Sequence, residues 1–219
     1  MEITVFIPAR NEADCVGATV DAAWRIEGVT RVVVIDDCSS DSTRCQALLA
    51  GATVVSLESH RGKGGVLMAG LHDSEFDYCL FLDADLGESA EQGVLLLAPV
   101  VCGELDMAIA RFPRPARTAG FGQVKKLALD AIHEASPSFE CLSPLSGQRA
   151  FTRDCIRSLL PLADGYGMEV ALTVKALRGG FRVAEVETQM HHKLTGNDPA
   201  GYVHRLKQYI DVKRAVSTL

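Results

Sequence analysis

Two aspartates separated by a single residue, Asp83 and Asp85, directly follow the apolar run YCLFL. Carboxylate oxygens are hard ligands that suit Mg²⁺ or Mn²⁺. A cation held at the end of a strand can neutralise a diphosphate leaving group. Such a pair also occurs as a helix N-cap or in a solvated turn. Its position after a predicted strand favours the metal site.

A second acidic cluster follows the apolar run TRVVVI and contains Asp36, Asp37, Ser39, Ser40 and Asp41. These carboxylates and hydroxyls can accept hydrogen bonds from a nucleobase or ribose, as an acidic residue after a strand does in dinucleotide sites. An ordinary turn, in which Asp and Ser side chains bond the backbone before a helix, explains the pattern equally well. The residues alone leave both interpretations open.

Two basic segments could bind phosphate. The first, 61–65 (RGKGG), precedes a predicted helix, so its backbone N–H groups and Lys63 could contact a phosphate or a nucleotide edge. Its glycine spacing is neither that of a P-loop nor that of a dinucleotide fingerprint. In the second, Arg111, Arg114 and Arg117 lie in a predicted mobile loop and could bind a diphosphate or an anionic acceptor. A solvated loop is the competing interpretation.

The apolar periodicity predicts the strands and helices around these clusters. Short apolar runs alternate with segments whose apolar residues recur at helical spacing. Strands are predicted at residues 3–7, 30–35, 52–57, 78–82, 106–110, 147–151 and 182–187. Helices are predicted between most of these strands, and a final amphipathic helix is predicted at 202–216.

This alternation predicts an α/β fold with a mainly parallel sheet covered by helices on both faces. Open sheets of this kind bind ligands at the carboxyl ends of their strands. The polar clusters at 8–12, 36–41 and 83–87 all follow predicted strands, so one crevice could gather them. Neither a repeat nor a linker marks a second domain, and a single domain of residues 1–219 is expected.

Composition excludes several function classes. The chain of 219 residues is 47% hydrophobic and carries a formal net charge of −6, which argues against a disordered protein and against binding to nucleic acid. Its 7 cysteines are scattered, with no C-x-x-C pair, and predict neither a disulfide framework nor a zinc site. No signal peptide or apolar run of membrane-spanning length (~20 residues) is apparent. A cytoplasmic protein without a transmembrane segment is therefore expected.

Taken together, the motifs resemble a known family. FIPARNEAD, VVVIDDCSSDST, RGKGG and FLDADLG, in this order, resemble the nucleotide-binding half of GT-A-type glycosyltransferases of family 2, notably dolichol-phosphate-mannose-synthase-like enzymes. PLSGQRAF and GYGMEVAL are similar to the acceptor-side segments of these enzymes and of glucosyl-3-phosphoglycerate synthases. The resemblance implies a GT-A fold with a nucleotide-sugar half at about 1–101, an acceptor-side half at about 102–198 and a C-terminal helix at 199–219.

The resemblance also implies site residues. Those expected around the nucleotide sugar are Pro8, Ala9, Arg10, Glu12, Asp37, Lys63, Asp83 and Ala84. Among them, Asp37 would read the base edge, and Asp83 would contact the ribose or, through water, the metal. Asp85 would ligate the metal directly. His192 is preferred over His191 as the further ligand, because a basic residue and Thr-Gly follow it as in the related pattern.

On the acceptor side, the resemblance implies that Glu169 faces the acceptor and, in an inverting enzyme, deprotonates the attacking hydroxyl. An acidic residue stabilised at a helix N-terminus is an equally good interpretation of its spacing. Gly147 would allow a close approach of acceptor or diphosphate, with polar atoms from Ser146 and Gln148, although a bulge also explains the glycine. Arg111 completes this predicted set.

The expected function is a metal-dependent hexosyltransferase that moves sugar from a UDP- or GDP-sugar to an unidentified hydroxyl or phosphate acceptor. Inverting and retaining outcomes both remain open, because the motifs resemble enzymes of both kinds. The alternatives are a nucleotidyltransferase, which would need a glycine-rich loop after the first strand, and a non-catalytic nucleotide-sugar-binding module. A homodimer and a peripheral membrane contact through the basic C-terminal helix are compatible with the sequence.

Overall fold

A single seven-stranded sheet organises the residues that the computed structural model describes, namely 1–72, 74–113, 122–163, 165–192 and 210–218. The strands are β1 Ile3–Ala9, β2 Val29–Asp36, β3 Thr53–Ser56, β4 Tyr78–Phe81, β5 Met107–Arg111, β6 Arg149–Thr152 and β7 Val183–Glu187. Their order in the sheet is β3-β2-β1-β4-β6-β5-β7. Only β6 runs antiparallel to its neighbours in this sheet, β4 and β5.

Helices cover both faces of the sheet. They are α1 Val16–Trp24, α2 Thr43–Leu49, α3 Gly62–His72, α4 Gly93–Val101, α5 Gly122–Ala135, α6 Arg153–Ser158 and α7 Met168–Arg178. Alternate residues of the strands point to opposite faces. One face forms a core with α1 and α4, and the other forms a core with α3, α6 and α7. The predicted α/β fold with a mainly parallel sheet is confirmed.

The strand β1 is longer than predicted, because it continues through Pro8 to Ala9. Proline has no N–H group and is normally excluded from the middle of a sheet. Here Pro8 pairs with Ile35 of β2, whereas β4 pairs with β1 only as far as Phe6. The strand therefore has an unpaired side at Pro8, where the missing N–H costs no ladder hydrogen bond.

The reversed direction of β6 matters for the site. In a parallel sheet the carboxyl ends of the strands share one edge, and an antiparallel strand begins at that edge. Arg149, the first residue of β6, pairs with Phe81 at the end of β4. The segment 146–148 thus lies beside the aspartates that follow β4, although it precedes its own strand.

Several predicted features lie outside the described residues. They include Arg114 and Arg117 of the arginine loop and residues 202–209 of the predicted C-terminal helix. Residues 210–217 are helical as predicted, and Val212 packs with α5 and α7 in a third apolar cluster. Within the described ranges, no helix combines the length and the apolar character needed to span a bilayer.

Helix α3 packs very closely on the sheet at Gly70. A Cβ atom at this position would lie 2.9 Å from Ile35 Cδ1 and 3.1 Å from Phe6 Cδ1. We expect Gly70→Ala to lower the free energy of unfolding by about 1–2 kcal/mol, because overpacking outweighs the gain in helix propensity. The matched variant is Gly17→Ala in α1, whose Cβ would lie 3.9 Å from Gln46 O, an ordinary van der Waals distance.

Urea denaturation of both variants measures this difference. Gly17→Ala should be neutral or stabilising by up to about 1 kcal/mol, because the unfolded chain has less conformational entropy with alanine than with glycine. An equal gain in stability for both variants would contradict the close packing of α3.

Candidate active site

Predicted residues from four separate segments meet at the carboxyl edge of the sheet. Asp83 follows β4 and accepts a hydrogen bond from Lys63 Nζ on its Oδ1 at 2.5 Å. Gln148, just before β6, donates from Nε2 to Asp83 Oδ2 at 2.6 Å. Lys63 Nζ also lies 3.4 Å from Glu169 Oε1, in the first turn of α7. Lys63 therefore connects two carboxylates that are far apart in the sequence.

The charges of this cluster stabilise one another. Burial by itself would lower the pKa of Lys63. The negative charges of Asp83 and Glu169 have the larger effect and hold the pKa of Lys63 above its usual range. Burial by itself would raise the pKa of Asp83. The positive charge of the Lys63 ammonium has the larger effect and holds the pKa of Asp83 below its usual range. Lys63 is thus positively charged and Asp83 negatively charged at neutral pH.

Gly147 is required by the close approach of Lys63. A Cβ atom at residue 147 would overlap Lys63 Nζ and lie 3.3 Å from Asp83 Oδ2. The close approach predicted for this glycine therefore occurs, and the group that makes it is the lysine ammonium. An approach of acceptor or diphosphate to Gly147 stays a prediction.

Asp83, Asp85 and His192 form a cluster that could hold a metal. One ligand atom from each lies within 4.8 Å of the others. His192 Nδ1 is 2.9 Å from Asp85 Oδ1, and this hydrogen bond holds the pKa of His192 above its usual range despite partial burial. Two carboxylates and an imidazole suit Mn²⁺ or Mg²⁺. Since Asp83 is already bonded to Lys63 and Gln148, Asp85 and His192 are the better placed ligands.

His192 reaches this edge because the segment before it is held against the turn that follows Asp85. Met190 is fully buried in the core. Gln189 N donates to Gln92 Oε1 at 2.5 Å, and His191 N donates to Ser89 Oγ at 3.2 Å. His191 Nδ1 lies 3.3 Å from the carbonyl oxygen of Gln189, whereas His192 Nδ1 lies beside Asp85. The structure therefore brings His192, and not its neighbour, to Asp85.

Asp37 has a structural role that the sequence analysis did not identify. Its carboxylate, only 4% exposed, accepts from Arg61 N at 2.8 Å and Gly62 N at 3.1 Å. It also lies 2.6 Å from His60 Nδ1. Asp37, which follows β2, thus caps the N-terminus of α3 and fixes the turn that carries Lys63. Contact between Asp37 and a nucleobase stays a prediction.

The other residues predicted at the nucleotide lie around the same edge. Ala9, at the end of β1, pairs with Asp36, and Arg10 next to it is exposed. Glu12 N donates to Thr43 Oγ1 at 2.8 Å, which joins this loop to α2. The carbonyl of Ala84 accepts from Thr19 Oγ1 at 2.8 Å. These bonds hold the loops in place and leave the predicted nucleotide contacts as predictions.

The predicted acceptor-side residues lie in two places. Arg111 Nη2 donates to Glu187 Oε2 at 2.9 Å, so its guanidinium is paired at the end of β7. Ser146 Oγ lies 3.4 Å from Gln148 Oε1, and its carbonyl accepts a hydrogen bond from Arg149 Nε at 2.9 Å. Ser146 and Gln148 join the cluster around Asp83, whereas Arg111 is directed toward Glu187.

Arg149 is a site residue that sequence reasoning missed. It is fully buried, and its Nη1 donates at 2.9 Å to Thr173 Oγ1, which in turn donates to the carbonyl of Glu169. Burial lowers its pKa to about 10, while the Glu169 carboxylate opposes this shift. Arg149 thus joins the 146–148 segment to the turn that carries Glu169. The available signal was a charged residue within the apolar strand RAFT.

Comparison with known proteins gives a consistent result. The sequence model of glycosyl transferase family 2 matches residues 4–122. A glucosyl-3-phosphoglycerate synthase of Mycolicibacterium smegmatis is 34% identical over 191 residues, covering 78% of this chain and 63% of that protein. Glycosyltransferase AglJ of Haloferax volcanii is 30% identical over 199 residues, which cover 90% of this chain and 65% of that protein. The chain spans less than two thirds of the length of these two relatives.

Solved structures show the same similarity. A crystal structure of glucosyl-3-phosphoglycerate synthase from Mycobacterium tuberculosis with Mg²⁺ and UDP has a TM-score of 0.80 at 27% identity. The match covers 99% of this chain and 79% of that chain. A structure of this enzyme with Mn²⁺, UDP-glucose and phosphoglyceric acid has a TM-score of 0.79 at 27% identity. This match covers 99% of this chain and 80% of that chain.

The hydrogen bonds that Asp37 accepts at the start of α3 should contribute to the stability of the fold. We expect Asp37→Ala to lower the free energy of unfolding by about 1–3 kcal/mol, because it leaves two backbone N–H groups at the start of α3 without their acceptor. Asp37→Asn should lose less, because its amide oxygen still accepts. The control is Asp21→Ala on the exposed face of α1, which should change stability by less than about 0.5 kcal/mol. Denaturant unfolding curves that coincide for Asp37→Ala and the control would refute the cap.

Proposed function

The chain belongs to glycosyl transferase family 2, and from that premise we propose that it transfers a sugar from a nucleoside-diphosphate sugar to an acceptor hydroxyl. The observation that carries the proposal is the arrangement around Lys63. The candidate metal ligands Asp83, Asp85 and His192 lie on one side of the lysine, and Glu169 lies on the other. The Lys63 side chain alone therefore separates the candidate cation ligands from Glu169, the carboxylate proposed to contact the acceptor hydroxyl.

The proposed donor is a UDP-sugar. Support comes from the similar enzyme of Mycobacterium tuberculosis, whose crystal structures contain UDP or UDP-glucose. In this chain the donor would lie along residues 8–12, 36–41 and 83–85, which follow β1, β2 and β4. The half at about 1–101 would thus bind the nucleotide sugar and the half at about 102–198 the acceptor. A GDP-sugar is the alternative donor to include in the assay.

Asp85 and His192, with Asp83 beside them, are proposed to hold Mg²⁺ or Mn²⁺. When bound there, a divalent cation neutralises charge that develops on the departing nucleoside diphosphate. Lys63 adds a positive charge that is already fixed by Asp83 and Glu169, so little reorganisation is needed when the leaving group becomes anionic. Gln148 and Gly147 keep Asp83 and Lys63 in this arrangement.

Glu169 is proposed to contact the attacking hydroxyl of the acceptor. Its side chain is 8% exposed and lies 3.4 Å from Lys63 Nζ, so it borders the site without being freely solvated. In an inverting reaction this carboxylate would also accept the hydroxyl proton. In a retaining reaction it would only orient the acceptor. The anomeric configuration of the product distinguishes these two roles.

A small phosphorylated hydroxy acid is the first acceptor to test. The similar Mycobacterium tuberculosis enzyme has been crystallised with phosphoglyceric acid. Arg111 is paired with Glu187 and would have to leave that exposed partner to bind an anionic acceptor. Exposed ion pairs contribute little stability, so the exchange would cost little. A cytoplasmic location and a homodimer stay predictions of the sequence.

The experiment that tests the function is an assay of products. The protein is incubated with UDP- and GDP-sugars, Mn²⁺ or Mg²⁺, and 3-phosphoglycerate or related hydroxy acids. A glycosyltransferase releases a nucleoside diphosphate and forms a glycoside, whereas a nucleotidyltransferase releases pyrophosphate from a nucleoside triphosphate. A folded protein that is thermally stabilised by a nucleotide sugar, yet forms neither product with any acceptor tested, would indicate a binding module.

Two isosteric variants test the assigned groups. We expect Asp85→Asn and Glu169→Gln each to lower turnover by about 100- to 1000-fold, because each removes a charge used in the transition state. Matched controls are Asp21→Asn and Glu27→Gln at exposed positions, which should keep full turnover. Melting temperatures separate catalytic loss from unfolding. Normal turnover and unchanged metal dependence in folded Asp85→Asn would refute the proposed metal site.

A further inference from the structure

Phe112 stacks on the imidazole of His192. It is the first residue after β5, and its ring centroid lies 5.0 Å from that of His192 with an angle of 9° between the ring planes. The distance is within the 4.5–7 Å range of offset-stacked aromatic pairs. Phe112 also packs against the core formed by α1 and α4. One face of the imidazole is therefore covered by a ring that the core holds in place.

The stack restrains a motion that the hydrogen bond to Asp85 leaves free. The contact between His192 Nδ1 and Asp85 Oδ1, at 2.9 Å, fixes one edge of the imidazole. The ring can still tilt about that contact, because a single hydrogen bond does not define a plane. Parallel packing against Phe112 opposes the tilt. Together the two contacts determine the orientation of both ring nitrogens.

We propose that Phe112 is a positioning residue for the metal site: by stacking on His192 it orients this ligand before the ion binds. The inference rests on the proposed function, because it requires a cation at Asp85 and His192. Phe112 acts through His192, and groups that orient metal ligands commonly affect metal affinity. The competing interpretation is that Phe112 contributes only to core packing.

The test compares Phe112→Leu, which removes the ring but keeps an apolar side chain, with Phe112→Tyr, which keeps the ring. Binding of Mn²⁺ to the full chain is measured by electron paramagnetic resonance of the free ion, with and without UDP. We expect Phe112→Leu to weaken Mn²⁺ binding about three- to tenfold, in line with the strength of an aromatic pair. Phe112→Tyr should bind within about twofold of the unaltered protein.

A matched control separates stacking from packing. Phe139 is a half-buried phenylalanine in the cluster with α5 and α7, and Phe139→Leu should leave Mn²⁺ affinity unchanged. The ring protons of His192, observed by NMR, should shift when Phe112→Leu removes the ring current of the stacked phenyl group. If Phe112→Leu fails to fold, Phe112→Met replaces it, since methionine fills a similar volume without a ring.

The outcomes distinguish this inference from the function on which it rests. Loss of Mn²⁺ binding in Asp85→Asn, together with unchanged binding in folded Phe112→Leu, would overturn the role of Phe112 and keep the metal site. Unchanged binding in both Asp85→Asn and His192→Ala would overturn both proposals. Equal weakening in Phe112→Leu and Phe112→Tyr would also overturn the inference, because the tyrosine retains the ring.

Discussion

The positive charge of Lys63 between Asp83 and Glu169 is the interaction on which the site depends. Two negatively charged carboxylates that face the same small region of a partly desolvated site repel each other. An ammonium between them removes that repulsion. The arrangement requires a glycine at residue 147, because a Cβ atom there would overlap the ammonium, and Gln148 then satisfies the second oxygen of Asp83. The identities of several residues thus follow from one charge.

The position of that charge is set by the sheet. Lys63 is in the first turn of α3, whose start is held by Asp37 at the end of β2. Glu169 is in the first turn of α7, whose backbone is joined to the beginning of β6 through Arg149 and Thr173. Both helices therefore begin at the carboxyl edge of the sheet, with side chains from other strands fixing their ends. This is the edge at which open α/β sheets bind ligands.

The elements and the two aspartates of the metal cluster could be predicted from local patterns, and His192 followed from the family resemblance. The long-range contacts could not be predicted. The run YCLFL followed by Asp83 and Asp85 predicts a metal site without further information, because a few adjacent residues show both a buried strand and hard ligands. A bond such as that from Arg61 N to Asp37 joins positions 24 residues apart, and no local pattern records it. The arginine in β6 was visible, but its partner Thr173 was not.

The amino-acid sequence contains enough information to predict the alternation of strands and helices, the polar clusters after the strands and the family that these clusters resemble. Periodicity and strand-end chemistry are properties of neighbouring residues, so they can be read along the chain. The choice of His192 over His191 already followed from the family resemblance. The folded chain, in contrast, was needed to show that Phe112 stacks on His192 and that Arg111 pairs with Glu187. These contacts depend on strand order, because the parallel pairing of β5 with β7 brings residues 111–112 beside residues 187–192, far away in the sequence.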